Sequence, residues 1–127
     1  MTNELAATFH QHYSESAHFR AEGFTATPFG RGAHLQGMVV AFEAGQFIPV
    51  HAPGVDIALV VLEGEGVLAT ESGDKALKPG AIAFMAAGHT RGVKATTRLI
   101  TFQVVSPPPT DADHKGVREG LERGDWR

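Results

Sequence analysis

From residue 33 onward, short apolar runs alternate with glycine- or proline-containing turns. Over Ala33–Glu43, the residues His34, Gln36, Met38, Val40 and Phe42 fall on one face at period two, the repeat of a half-buried strand. Gln46–Val50, Ile57–Glu63, Val67–Thr70, Lys75–Leu77, Ala81–Met85, Val93–Thr96 and Arg98–Val105 read as further strands. Turn signals stand between them at Gly45, Gly64-Glu65-Gly66, Glu71–Asp74 and Pro79-Gly80, and Gly88 and Gly92 bracket a loop. Phe19, Phe24 and Phe29 with Thr25 and Thr27 suggest one or two earlier strands, broken at Pro28 and Gly30–Gly32. Leu5, Ala6, Phe9 and Tyr13 have helical spacing and predict a short helix over residues 3–13. Ser106–Pro109 stops the last strand, and Asp111 opens an amphipathic helix with Val117 and Leu121 on one face, weakened by Gly116 and Gly120.

This pattern predicts an all-β sandwich or barrel with short terminal helices and no βαβ alternation. The stretches are 1–32 (helix and leading strands), 33–105 (barrel core) and 106–127 (Pro-rich exit and helix). With 127 residues they form one domain. Composition narrows the chemistry. With no cysteine there is no disulfide framework, thiolate zinc site or cysteine nucleophile, which fits a reducing, cytoplasmic setting. A net charge of -3 argues against a sequence-independent grip on nucleic acid. The apolar runs Ile57–Leu62 and Ala81–Ala87 are too short to span a membrane, and the N-terminus reads as no secretion signal. Seven histidines invite a search for a metal site. His10, His12, His18 and His114 lie in weakly patterned segments and read as surface residues, and Glu63 and Glu65 as solvated turn residues.

The stretch GQFIPVHAPGVDIALVVLEGEG resembles the first motif of the cupin family: Gly, five residues, His-x-His, three or four residues, Glu, six residues, Gly. Gly45, His51 and Gly64 hold that spacing. GAIAFMAAGHTRGVKA is similar to the second motif, with Gly80 and Gly88 in place. The resemblance covers residues 33–105. It implies a single-domain jelly-roll β-barrel, generally a homodimer, in which two His and a Glu of the first motif and a His of the second bind a divalent metal. At those four slots this chain has His51, Pro53, Ile57 and Arg91. Pro53 and Ile57 have no ligating side chain, and Arg91 stays protonated. The usual three-His-one-Glu site is therefore expected to be absent.

The expected function is binding of a small organic ligand in the barrel, with no cofactor assigned. Its pocket is expected to be apolar, from Ile57, Leu59, Val61, Met38, Val40, Phe42 and Phe102, with His51 and Arg91 at the polar end. Arginine there favours an anion, because its planar fork pairs bidentately with a carboxylate. One alternative is a metal-dependent oxygenase or isomerase whose divalent transition-metal site is rebuilt from His51 with His34 or His89. Another is a metal-free isomerase with His51 as base and Asp56 to orient it. A third is an interaction module whose barrel is filled by side chains. No nucleic-acid or membrane partner is expected.

Overall fold

In the computed structural model, which describes residues 7–127, the predicted strands form two antiparallel sheets that face each other. The strands are β1 (Thr25–Arg31), β2 (Gln36–Phe42), β3 (Phe47–His51), β4 (Asp56–Glu63), β5 (Gly66–Thr70), β6 (Gly73–Leu77), β7 (Ile82–Met85), β8 (Arg91–Ala95) and β9 (Leu99–Ser106). One helix, α1 (Asp111–Arg123), follows them. The larger sheet has the order β1-β2-β9-β4-β7 and the smaller β3-β8-β5-β6. The chain crosses repeatedly between the sheets, so strands distant in sequence become neighbours, as in a jelly roll.

Period two sets which side chains face inward. On β4, Ile57, Leu59 and Val61 are buried, while the alternating Asp56 and Ala58 are exposed. The core is formed where these residues meet Val40, Phe42, Leu68, Val93, Leu99 and Val105 from the other strands. Phe42 is fully buried and stacks on Phe24 with ring centroids 5.7 Å apart. β1 runs through Pro28, with a register shift between Pro28 and Gly30. The strand is at a sheet edge, where a residue without an N–H breaks no interior ladder.

The N-terminal expectation is corrected. Of the helix expected over 3–13, residues 3–6 lie outside the described residues. The segment from residue 7 to 12 is not helical, and one 3₁₀ turn occupies Tyr13–Ser16. Tertiary contacts override the helical spacing, since a helix this short is marginal on its own. His10 packs edge-on against Phe29 of β1, and the Tyr13 hydroxyl donates to the Glu63 carboxylate. Glu63 is therefore tied to the N-terminal segment.

Gly116 and Gly120 are the reason α1 lies where it does. A Cβ on Gly120 would come within 2.4 Å of the Pro49 Cβ, and one on Gly116 within 3.0 Å of the His51 Cβ. The two glycines let the helix backbone rest directly on β3. Beyond the helix, the Trp126 carbonyl accepts from Val50 N and Arg127 pairs with Asp74, pinning the tail to the smaller sheet. Gly120→Ala is expected to lift α1 off β3. The chain's one tryptophan, Trp126, reports this as a red shift of emission. A change of about 1–3 kcal/mol in stability accompanies it, as for overpacking in general. Unchanged emission and stability would show that the helix rests elsewhere.

Candidate functional site

Between the sheets, under α1, lies a cavity of about 280 Å³. Its walls are nearly all apolar, with Met38 and Val40 from β2, Ile57 and Leu59 from β4, and Leu68 and Val93 from β5 and β8. His51, Pro53, Ile57 and Arg91, the four slots singled out by the motif spacing, all line this one cavity. The glycine framework of the sequence thus brings the four motif positions to one cavity, His51 and Arg91 from the smaller sheet and Ile57 from the larger.

Arg91 is the first residue of β8 and lies opposite His51 of β3 in the strand pairing. Residues opposite each other in neighbouring strands project from the same face. The Arg91 side chain is only 5% exposed. Its Nη2 donates to the Ala86 carbonyl at 2.8 Å and its Nε to the His89 carbonyl at 3.2 Å. Its Nη1 is buried and has no partner among the described residues. No carboxylate forms a salt bridge with the guanidinium among those residues. Burial holds Arg91 below the usual arginine value, opposed by the charge of Asp56. The next residue, Gly92, belongs to β8 and not to a loop. A Cβ there would meet Val50 Cγ2 at 2.7 Å, so the close strand approach that fixes Arg91 inward requires glycine.

The His51 Nδ1 donates to the Pro49 carbonyl at 2.8 Å. That bond selects the tautomer with the lone pair on Nε2. Burial holds His51 below the usual histidine range. The charges of Arg91 and His114 act in the same sense, and backbone carbonyls of Pro49 and Arg91 oppose them. The ring is oriented by a carbonyl and not by Asp56. Asp56 points away on β4 and accepts from Ala87 N at 2.8 Å. The carboxylate–imidazole pair expected of a metal-free isomerase is thus not formed.

The rebuilt metal site is not assembled either. His34 is exposed and precedes β2, its carbonyl accepting from Ser106 Oγ. His89 is exposed and bonds through Nδ1 to Glu71 at 2.8 Å. Neither lines the cavity. Among the described residues no three His, Asp or Glu side chains come together as ligands. The buried guanidinium of Arg91, and no further histidine or carboxylate, stands opposite His51 in the strand pairing.

Three expected apolar wall residues are also displaced. Phe102 projects from the outer face of the larger sheet, against Phe29, with ring centroids 5.8 Å apart. Its neighbour Gln103 takes the inward place. Phe42 and Val61 are buried in the core and not in the cavity wall.

The roof of the cavity was not anticipated. Pro109, Asp113, His114 and Val117 cover it from α1 and its approach. The Asp113 carboxylate accepts from Thr110 N and Thr110 Oγ1 at the helix start and from Gly54 N at 2.9 Å across the cavity rim. These bonds, led by those to the backbone of Thr110 and Gly54, hold Asp113 below the usual carboxylate range. The cap of α1 is therefore also its latch to the β3–β4 loop.

The chain was compared with known proteins. No family model matches it, and no curated protein matches it. Solved structures do. It is similar to TT1209 from Thermus thermophilus, at 26% identity and a TM-score of 0.72 over 78% of this chain and 97% of that one. It is similar to an RmlC-like cupin from Desulfovibrio desulfuricans, at 25% identity and a TM-score of 0.71 over 80% and 98%. An RmlC-like cupin from Shewanella frigidimarina has 22% identity and a TM-score of 0.70 over 83% and 96%.

Proposed function

We propose that this chain, a protein of the cupin fold, binds a small carboxylate with an apolar body inside its barrel, gripped by Arg91. The observation that carries the reading is that Arg91 lines the cavity and that its Nη1 is a buried, charged donor with no partner among the described residues. Buried polar groups are almost always hydrogen-bonded, so an orphan of this kind points to a missing acceptor. A carboxylate supplies it and neutralises the charge. The apolar walls accept the hydrocarbon part. The volume lies near the lower end of the roughly 300–1,000 Å³ of small-molecule pockets, which favours a ligand of few heavy atoms.

Calorimetric titration with hexanoate and with hexanamide tests this. The two probes have nearly the same shape and differ in charge. Hexanoate is expected to bind one site per chain, and hexanamide at least about tenfold more weakly, since a bond to a charged acceptor exceeds one to a neutral acceptor. Equal affinity for the two would contradict a cationic anchor.

Two copies are further proposed to pair. Ile82 and Phe84 on β7 are 81% and 67% exposed, at a sheet edge and beside the outward Val60, Phe102 and Val104. An apolar patch on an open edge strand supports association with a second copy. The wild type is expected to sediment as a dimer at micromolar concentration and Phe84→Lys as a monomer. A monomeric wild type would contradict the pairing.

A further inference from the structure

Gln103 is a polar group in the cavity wall on the opposite sheet from Arg91 and His51. In the strand pairing it lies opposite Met38 of β2 and Leu59 of β4, both of which line the cavity. It is 5% exposed. Its Nε2 donates to Thr101 Oγ1 at 3.0 Å, and Thr101 is itself fully buried two residues back on the same face. In this geometry the other end of the amide, Oε1, has no donor among the described residues. A buried amide among apolar side chains is costly unless its carbonyl is also hydrogen-bonded. An apolar ligand filling the cavity would shut this acceptor away from water.

We infer that Gln103 makes the site selective for carboxylates that carry a hydroxyl remote from the carboxyl group. The inference rests on the reading of Arg91 as the carboxylate anchor. Arg91 and Gln103 stand on facing sheets, whose backbones lie about 10 Å apart, and the guanidinium is turned toward the Ala86 and His89 carbonyls of the β7–β8 loop, so a group reaching Gln103 is several bonds from one held by Arg91. The acceptor Oε1 calls for a donor, and a hydroxyl is the smallest that an otherwise apolar pocket accommodates. Thr101 is a positioning residue, because it acts through the Gln103 amide.

The test is calorimetric titration of the full chain with hexanoate and with its 2-, 5- and 6-hydroxy derivatives, repeated on Gln103→Leu. In the wild type the 5- or 6-hydroxy acid is expected to bind about tenfold more tightly than hexanoate, the yield of one net hydrogen bond. The 2-hydroxy acid, whose hydroxyl lies beside the carboxylate, is expected to show no such gain. In Gln103→Leu the ratio of hydroxy-acid to hexanoate affinity is expected to fall to about one. Gln103→Met serves in the same way if the leucine variant fails to fold. If hexanoate binds and no remote hydroxyl improves it, or if the gain survives in both variants, the Gln103 inference is overturned and the Arg91 reading stands. If none of the four acids binds the wild type, the Arg91 reading fails and this inference with it.

Discussion

Arg91→Met is expected to raise the stability of the protein and abolish its carboxylate binding in one step. The guanidinium is almost wholly buried, has no salt-bridging carboxylate among the described residues, and leaves Nη1 without a partner there. Taking an ion out of water costs several kcal/mol, and replacing buried charges with well-packed apolar side chains is often stabilising. Methionine follows the path of the arginine stem and adapts to irregular space. The two carbonyls it abandons, of Ala86 and His89, lie in a turn beside exposed residues where water can reach them. A net gain of roughly 1–2 kcal/mol follows, or about 4–8 °C in the thermal midpoint at this size. The lost charge-assisted bonds, each worth about 1.5–3 kcal/mol, weaken hexanoate at least about 100-fold. Thermal melting and calorimetry on the same variant check both halves. A residue that destabilises the free protein and holds the ligand is one retained for function. A variant that melts lower and still binds would make Arg91 a structural residue.

Gly64→Ala is expected to be the most damaging single substitution in the chain. Gly64 turns the chain from β4 to β5 with φ at 84°. A Cβ there would lie 1.7 Å from the Arg98 carbonyl oxygen and 2.9 Å from the Cα of Leu99. Both are backbone atoms at the start of β9, the central strand of the larger sheet, and Leu99 is fully buried. Neither a rotamer change nor a small shift relieves the clash. Left-handed strain of about 1–2 kcal/mol adds to overpacking of about 1–3 kcal/mol. Together they approach the low end of a domain's total stability, about 5 kcal/mol. Gly45→Ala separates the two costs. Gly45 has a similar φ of 87° but no atom within 4 Å of the added Cβ, so only the strain remains. Urea unfolding of both variants is expected to show Gly64→Ala largely unfolded or nearly so, and Gly45→Ala lowered by about 1–2 kcal/mol. Similar losses in the two would remove the steric argument.

Much of the barrel was legible because its glycines stand where the chain reverses. Gly64 is required by both conformation and space, so its place in the motif spacing carried structural information. The same spacing picked out His51, Pro53, Ile57 and Arg91, which line one cavity. Legibility failed where the two faces of a strand are chemically alike. On β9 the outward Ile100, Phe102 and Val104 are as apolar as an inward face; Phe102 packs edge-on against Phe29, and Phe102 and Val104 belong to the outer apolar patch beside Ile82 and Phe84. Hydrophobicity therefore favoured Phe102, and the inward residue is Gln103. The register against Met38 and Leu59 decides the face, and register is a long-range property.

It failed again at the chain ends. His114 reads as a surface residue and is exposed, yet it also roofs the cavity, beside Asp113, to which no role was assigned. Their role depends on Gly116 and Gly120, whose low helix propensity was visible and whose packing against His51 and Pro49 was not. His34 continued the period-two pattern of β2 by two residues, but the strand begins at Gln36 and the histidine turns to solvent. Periodicity extends without penalty past the point where pairing stops.

The central claim is that Arg91 holds the ligand's carboxylate. The most direct measurement is nuclear magnetic resonance of the arginine side-chain N–H groups during titration with hexanoate. The Arg91 Nε–H resonance is expected to shift and saturate at one hexanoate per chain, while that of exposed Arg98, paired with Glu43, stays in place. An Arg91 resonance that does not move while hexanoate binds would contradict the account.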